Sequence, residues 1–171
     1  ELLIAGRLES GKMKLDAVPM DLLPILHESV RAVKSIARMR NITIELKVDS
    51  ELCTIFGDTG GLSQVFINLI NNAVKFSPEG STVDVVATQS GAENEARISI
   101  TDHGLGIPPE SIPHLFERFY RAKNVTVAEI PGTGIGLYIV KSIVDELGGK
   151  IDVVSELNQG TTFIVRLRLA P

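Results

Sequence analysis

The sequence predicts an α+β chain folded as a two-layer α/β sandwich, with helices on one face of a mixed, mostly antiparallel sheet. Three observations lead there. Apolar residues recur at helical spacing over residues 21–41, 58–76 and 134–147. They alternate with polar residues over 82–88 and 96–101, and again over 150–155 and 161–169, each pair joined by a short polar turn. Finally, 44% of the 171 residues are hydrophobic against 22% charged, which supplies one sizeable core and argues against disorder.

Residues 1–10 read as the last turns of a helix that begins before Glu1, with Gly11 as its stop. A turn-rich stretch up to Pro19 marks a boundary, so the main domain is expected over 18–171 and residues 1–11 form an appendage. Asp21 is a candidate N-cap with Pro24 in the first turn. Leu22, Leu26, Val30, Val33 and Ala37 then mark a helix face that ends near Asn41. Residues 42–48 alternate through Ile42, Ile44, Leu46 and Val48 as a half-buried strand, and 53–56 form a second short one. Asp58 opens the next long helix, which Ser77 and Pro78 stop after Phe76. The pair 82–88 and 96–101 reads as an antiparallel hairpin, followed by a short helix over 110–119. Residues 123–131 show no period, are rich in polar residues and end in Pro-Gly, the pattern of a mobile lid. The third long helix presents Leu137, Val140, Ile143, Val144 and Leu147 on one face and stops at Gly148 and Gly149. The last two strands turn around residues 158–160.

Bulk properties exclude several classes. A formal charge of -4 gives no electrostatic reason to expect nucleic-acid binding. No apolar run approaches the roughly 20 residues that span a bilayer. The chain opens without a signal peptide, and Glu1 in place of Met points to a piece of something longer. The single cysteine, Cys53, forms no internal disulfide and fits a reducing compartment, most simply the cytoplasm. Its apolar surroundings make it a core filler rather than a catalytic thiol.

Three segments carry chemistry. Between Leu62 and Phe76, Gln64, Asn68, Asn71, Asn72 and Lys75 fall within roughly 100° of the helix circumference. Nearly everything else there is apolar, so this helix is buried and its polar sector must face a hydrogen-bonding partner. Carboxamide oxygens suit a hard cation such as Mg²⁺, and Lys75 can meet a phosphate as a point charge. The alternative is a solvated surface stripe, although such stripes usually carry Glu and Lys. Asp102 follows the strand 96–101 and can accept from an exocyclic amine such as that of adenine. Gly104 and Gly106 leave room for a flat ring, and Ile107 can pack on its face. Alone, this segment reads equally as a plain strand-to-helix turn. Gly132, Thr133, Gly134 and Gly136 precede Leu137 as a glycine turn whose amides, at a helix N-terminus, favour an anion. It lacks the Lys-Ser/Thr of a Walker loop and the strand–turn–helix setting of a dinucleotide fingerprint. Arg121 either reaches a terminal phosphate or is a solvated surface residue. His27, His103 and His114 have no assignable role.

The order Asn68, Asn72, Lys75, Phe76; Asp102, Gly104, Gly106; Phe116 through Arg121; and Gly132 through Leu137 resembles the N, G1, F and G2 boxes of sensor histidine kinases. Residues 147–150 and 160–163 are similar to the end of that domain, and 7–11 to the end of its second dimerisation helix, so the resemblance covers essentially the whole chain. It implies the Bergerat ATP-binding fold, with a left-handed βαβ unit, shared with gyrase-type and chaperone-type ATPases. It puts Asn72 on Mg²⁺ with Asn68 close by, Lys75 near the phosphates, and Asp102 on the adenine amine with a water held near Thr161. Gly134, Gly136 and Leu137 would wrap phosphate and base. The expected ligands are ATP and Mg²⁺.

Two departures stand out. No phosphoacceptor histidine box is present, and Gly60-Gly61 occupies a place where charged helix formers are expected, which should loosen the helix start. The resemblance implies as partners the parent's own dimerisation domain and a downstream response regulator. It further implies a homodimeric parent and a monomeric fragment without membrane contact. Hydrolysing relatives place Glu one turn before the metal asparagine. Asn68 cannot act as that general base, so phosphoryl transfer to histidine is expected over hydrolysis. The alternatives are a gyrase-like or chaperone-like ATPase module and a non-catalytic nucleotide-binding module.

Overall fold

The computed structural model describes residues 2–9, 14–49, 54–90, 92–127 and 129–171. In chain order the elements are α1 (Leu2–Glu9), β1 (Val18–Met20), α2 (Leu23–Met39), β2 (Thr43–Val48), β3 (Ile55–Gly57), α3 (Thr59–Phe76), β4 (Thr82–Ser90) and β5 (Glu95–Asp102). There follow a 3-10 turn (Pro109–His114), α4 (Lys123–Val127), α5 (Gly136–Glu146), β6 (Lys150–Glu156) and β7 (Gly160–Arg168).

The main sheet has the order β2-β4-β5-β7-β6. Only β2 and β4 run parallel, and a parallel pair requires a crossover, which β3 and α3 supply. Helices α2, α3 and α5 form one layer, with α3 between the other two and packed on β4 and β5. The predicted sandwich is therefore the observed one. Inward residues of β5 (Ala96, Ile98, Ile100) and β7 (Phe163, Val165, Leu167) meet Leu62, Val65, Phe66, Leu69, Ile70 and Val74 of α3, all buried. At about 1.5–3 kcal/mol per large apolar side chain, α3 is the best-anchored helix of the layer.

Four local expectations are corrected. The turn-rich stretch before Pro19 ends in a strand, because Val18–Met20 pairs antiparallel with Ile55–Gly57 in a separate two-stranded sheet. That pairing also starts the second short strand at Ile55, two residues after the expected Cys53. The predicted helix over 110–119 is a 3-10 turn ending at His114, since Pro113 lies inside it and removes a donor. Within 123–131, Lys123–Val127 is helical despite its lack of period: a five-residue helix is too short to show one. Gly11 and Cys53 lie outside the described residues.

The feared weakness at Gly60-Gly61 is not seen. Asp58 caps α3, its carboxylate accepting from Gly61 N at 2.7 Å and from Asp16 N at 3.1 Å. A Cβ on Gly61 would sit 3.1 Å from both Ile143 and Leu15, so the missing side chain lets α3 approach α5 closely. The other long-helix ends follow their local chemistry. The N-cap of α2 is Leu22, without a side-chain cap, so the expected Asp21 lies one residue too early and accepts from Leu23 N at 3.0 Å; α2 ends where expected, with Asn41 at a left-handed φ of 53°.

Candidate functional site: a cavity between α3, the β5 end and α5

Strand alternation decides where Asp102 points. Ala96, Ile98 and Ile100 face the helical layer, and Asp102 keeps their parity, so its side chain is turned inward and only 5% exposed. Opposite it in register lies Thr161 of β7, equally buried. Asp102 Oδ1 accepts from Gly104 N at 2.9 Å. Burial pushes the Asp102 carboxyl above its ordinary range, opposed by the Gly104 and Thr161 amides and then by neighbouring His103. Ionised, it retains acceptor capacity for a further donor. His103 reaches Asp84 instead, at 3.4 Å.

The glycines beside Asp102 serve the protein's own backbone. A Cβ on Gly104 would lie 1.9 Å from the Phe76 carbonyl, and one on Gly106 would lie 2.0 Å from the Glu156 carbonyl. Gly106 also has a φ of 63°, which favours glycine. This differs from the room for a flat ring expected of them: Gly106 lines the cavity, while Gly104 is set behind it against Phe76.

The polar sector of α3 opens on the same space. Asn68, Asn71, Asn72, Lys75 and Phe76 line a cavity of about 270 Å³ whose far side is Asp102, Ile107 and Thr161; Gln64 does not reach it. Among the described residues no group of three or more His, Cys, Asp or Glu could hold a metal ion. A cation here would depend on amide oxygens and on phosphates arriving with it. The amide oxygens fit Mg²⁺ bound in that way, while Asn68 Nδ2, buried without a hydrogen-bond partner, is an N–H donor left over for an acceptor such as a phosphate oxygen. Lys75 Nζ also lies over its neighbour's ring, 5.1 Å from the Phe76 centroid.

The third wall is the glycine turn. Gly132, Thr133, Gly134, Gly136 and Leu137 all line the cavity. The first turn of α5 has no side-chain cap and no acidic residue, which leaves it suited to an anion. Gly134 has a φ of 72° and its carbonyl accepts from Phe119 N at 2.9 Å. Arg121 lines the cavity as well, but its guanidinium donates to the Ile130 carbonyl, fastening the segment around α4 to itself. Asn124 of α4 donates to the Gly106 carbonyl at 2.9 Å, so this segment is drawn over the Asp102 side of the cavity.

All predicted site residues except Gln64 and Gly104 thus meet at one cavity. Sequence reasoning missed Leu105, Leu115, Ala122, Val125 and Phe163, which complete its apolar lining, and assigned no role to Tyr120. Apolar residues of a cavity wall carry no chemical signature distinct from core. Phe163 shares the inward parity of Thr161, and that was the one available signal.

Residues 57–171 match the family described as Histidine kinase-, DNA gyrase B-, and HSP90-like ATPase. The chain is 32% identical to the sensor protein GacS of Pseudomonas syringae pv. syringae over 99% of its own length and 19% of that relative's. Among solved structures, full-length ShkA in complex with AMPPNP superposes with a TM-score of 0.84 at 30% identity, covering 99% of this chain and 35% of that one. The mycobacterial sensor histidine kinase MprB gives a TM-score of 0.75 at 32% identity over 91% of this chain and 100% of the other. The chain spans 19–26% of the length of the curated relatives it matches. Among the described residues no helix is long and apolar enough to cross a membrane. With two thirds of its length matching that family model and sensor histidine kinases among its relatives and structural neighbours, the chain belongs to the histidine kinase-, DNA gyrase B- and HSP90-like ATPase family, as an ATP-binding catalytic domain of the sensor histidine kinase type.

Proposed function

We propose that this domain binds Mg-ATP in the cavity and donates the γ-phosphoryl group to a histidine of a separate dimerisation domain in a two-component sensor kinase. The observation that carries the reading is the amide sector of α3 facing the same cavity as buried Asp102, with a carboxamide at position 68. Asp102 accepts from the adenine amine, and Ile107 and Leu137 pack on the ring. Asn72 and Asn68 hold the metal, and Lys75, Thr133 and the amides of Gly132, Gly134 and Gly136 receive the phosphates. Mg²⁺, held by Asn72 with Asn68 close by, would supply neutralisation of the phosphate charge.

In the transfer step an unprotonated imidazole nitrogen attacks the γ-phosphorus. The bond to the β–γ bridging oxygen breaks and that oxygen leaves with ADP. The protein's share is positioning and charge neutralisation; a water molecule finds no general base at Asn68. Arg121 reaches the γ-phosphate only by exchanging the Ile130 carbonyl for it, which couples the α4 segment to the terminal phosphate.

Residues 1–11 are read as the end of a dimerisation helix preceding a catalytic domain at 18–171. In support, α1 packs on α5 and buries Ala5 completely. The parent would be a homodimer signalling to a response regulator, with this domain on the cytoplasmic side. Incubated alone with Mg-ATP, the chain should remain unlabelled and release phosphate slowly. Given the dimerisation domain of its own parent, it should label that domain's histidine in trans, slowly because the tether is missing. The label should be acid-labile and base-stable. Rapid phosphate release by the isolated chain would favour a gyrase-like or chaperone-like ATPase instead.

A further inference from the structure

Helix α3 ends at the cavity, and Lys75 and Phe76 line it from the last turn. A helix end leaves four carbonyls without donors from its own backbone. Ser77 supplies the first of them, its N and Oγ donating to Ala73 O at 3.1 and 2.6 Å. The fourth, on Phe76, is pressed against the backbone of Gly104. The two between, on Val74 and Lys75, both accept from Nη1 of Arg40, whose Nη2 donates to Ser77 O at 3.0 Å. One guanidinium thus grips three carbonyls of a single turn.

Arg40 is itself held firmly. It is the C-cap residue of α2, and its N–H donates to the Ile36 and Ala37 carbonyls. Asn41 and Ile42 close the same turn by donating to Arg38 O and Ala37 O, and α2 packs along α3. A planar, rigid fork bonded to three carbonyls fixes the direction of the turn that carries them. Arg40 does not line the cavity; its bonds end on the backbone beneath Lys75. From there the Lys75 side chain crosses to the glycine turn, where a Cβ on Gly132 would lie 2.7 Å from Nζ. Lys75 already has a long flexible stem, so a loose turn beneath it would add backbone freedom to what a bound phosphate must immobilise.

We propose that Arg40 is a positioning residue for the phosphates of the nucleotide, clamping the last turn of α3 so that Lys75 meets them from a fixed base. The inference rests on the reading of the cavity as a nucleotide site with Lys75 at the phosphates.

The test is NMR titration of the 171-residue chain with Mg-ATP and with adenosine, which lacks the phosphates. Arg40→Ala should weaken Mg-ATP about fivefold and adenosine less than about twofold. Lys75→Ala should weaken Mg-ATP at least as much, and the double variant should bind no more weakly than Lys75→Ala alone. Arg40→Lys keeps the charge without the fork, so its affinity should fall between the native chain and Arg40→Ala. Equal losses for Mg-ATP and adenosine would make Arg40 a structural residue only. A loss that persists in full in the Lys75→Ala background, or native affinity in Arg40→Lys, would make it a charge acting on the phosphates by itself. Each of these, like native affinity in a folded Arg40→Ala, overturns the inference and leaves nucleotide binding standing. If Arg40→Ala does not fold, Arg40→Gln, which can still donate to one carbonyl, carries the same measurements. Failure of the native chain to bind Mg-ATP overturns the nucleotide reading and this inference together.

Discussion

The two ends of the cavity are built differently. At the base end, backbone meets backbone with no slack: Gly104 against Phe76 O, Gly106 against Glu156 O, Gly160 against Asp102 O, each leaving about two ångströms for an absent Cβ. At the phosphate end the contacts are mainly side chains and loops. The atom nearest a Cβ on Gly132 would be the flexible Lys75 ammonium at 2.7 Å, and the Arg121 side chain fastens the α4 segment through the Ile130 carbonyl. Gly134 alone, pressed on Phe119 and Tyr120, resembles the base end. A rigid base end holds one ring in one plane. On the proposed function, the other end, held by movable groups, would be free to rearrange as the γ-phosphoryl group leaves.

The largest contrast should come from matched substitutions. Gly104→Ala forces backbone apart and should cost about 3 kcal/mol of stability, read by urea denaturation. Gly132→Ala needs only a swing of Lys75 and should stay within about 0.5 kcal/mol. Equal costs would erase the distinction between the ends.

Next in size is Asp102→Asn, which risks turning an amide N–H toward the purine amine. ATP affinity should fall more than about tenfold with the fold intact, by titration with a fluorescent analogue. Unchanged affinity would remove Asp102 from the base end altogether.

At the other end, Asn72→Ala should weaken Mg-ATP by about fivefold and metal-free ATP by less than about twofold. Equal weakening with and without Mg²⁺ would make Asn72 a structural residue and leave the phosphate end without its proposed metal ligand.

The smallest effect is a pH dependence confined to the base end. Because burial raises the Asp102 carboxyl above its ordinary 3.8, the ionised group opposes folding at neutral pH. The penalty is absent below 3.8 and grows as pH rises through the raised value. The melting temperature of Asp102→Asn relative to the native chain should accordingly be highest near neutrality and fall on acidification. Over the same interval native ATP affinity should drop, because a protonated carboxyl no longer accepts fully. A melting difference that is flat with pH would mean that Asp102 is not destabilised by its burial.

Much of this was legible before any coordinates. The period of 58–76 showed a buried helix with one polar sector, and its amides do face a cavity. The order of residues puts Asp102 directly after the alternating run 96–101, and the start of α5 is visible as a glycine turn. Other features were hidden for definite reasons. The 3-10 turn was misread because Pro113 sits in a short apolar segment that looks helical. β1 was missed because three residues show no period and acquire their strand form only by pairing with β3. Gly104 was assigned to ligand contact because a glycine's reason for lacking a side chain cannot be read locally.

By itself, then, the sequence determined whatever depends on spacing along one element: the helix faces, the strand alternation, the start of α3 at Asp58 and the end of α2 near Asn41, and the chemistry at positions 68, 72, 75 and 102. Only the tertiary structure decided which of these elements meet. It brought the Asp102 end of β5 beside Thr161 through the β5–β7 register, packed Gly104 against α3, drew Asn124 onto Gly106, and gave Ser155 three partners at once. The reason is physical: periodicity reports the direction of a side chain relative to its own backbone. A contact between residues 48 or 61 positions apart, such as Ser155 with Ile107 or Thr101 with Thr162, depends on how whole layers pack.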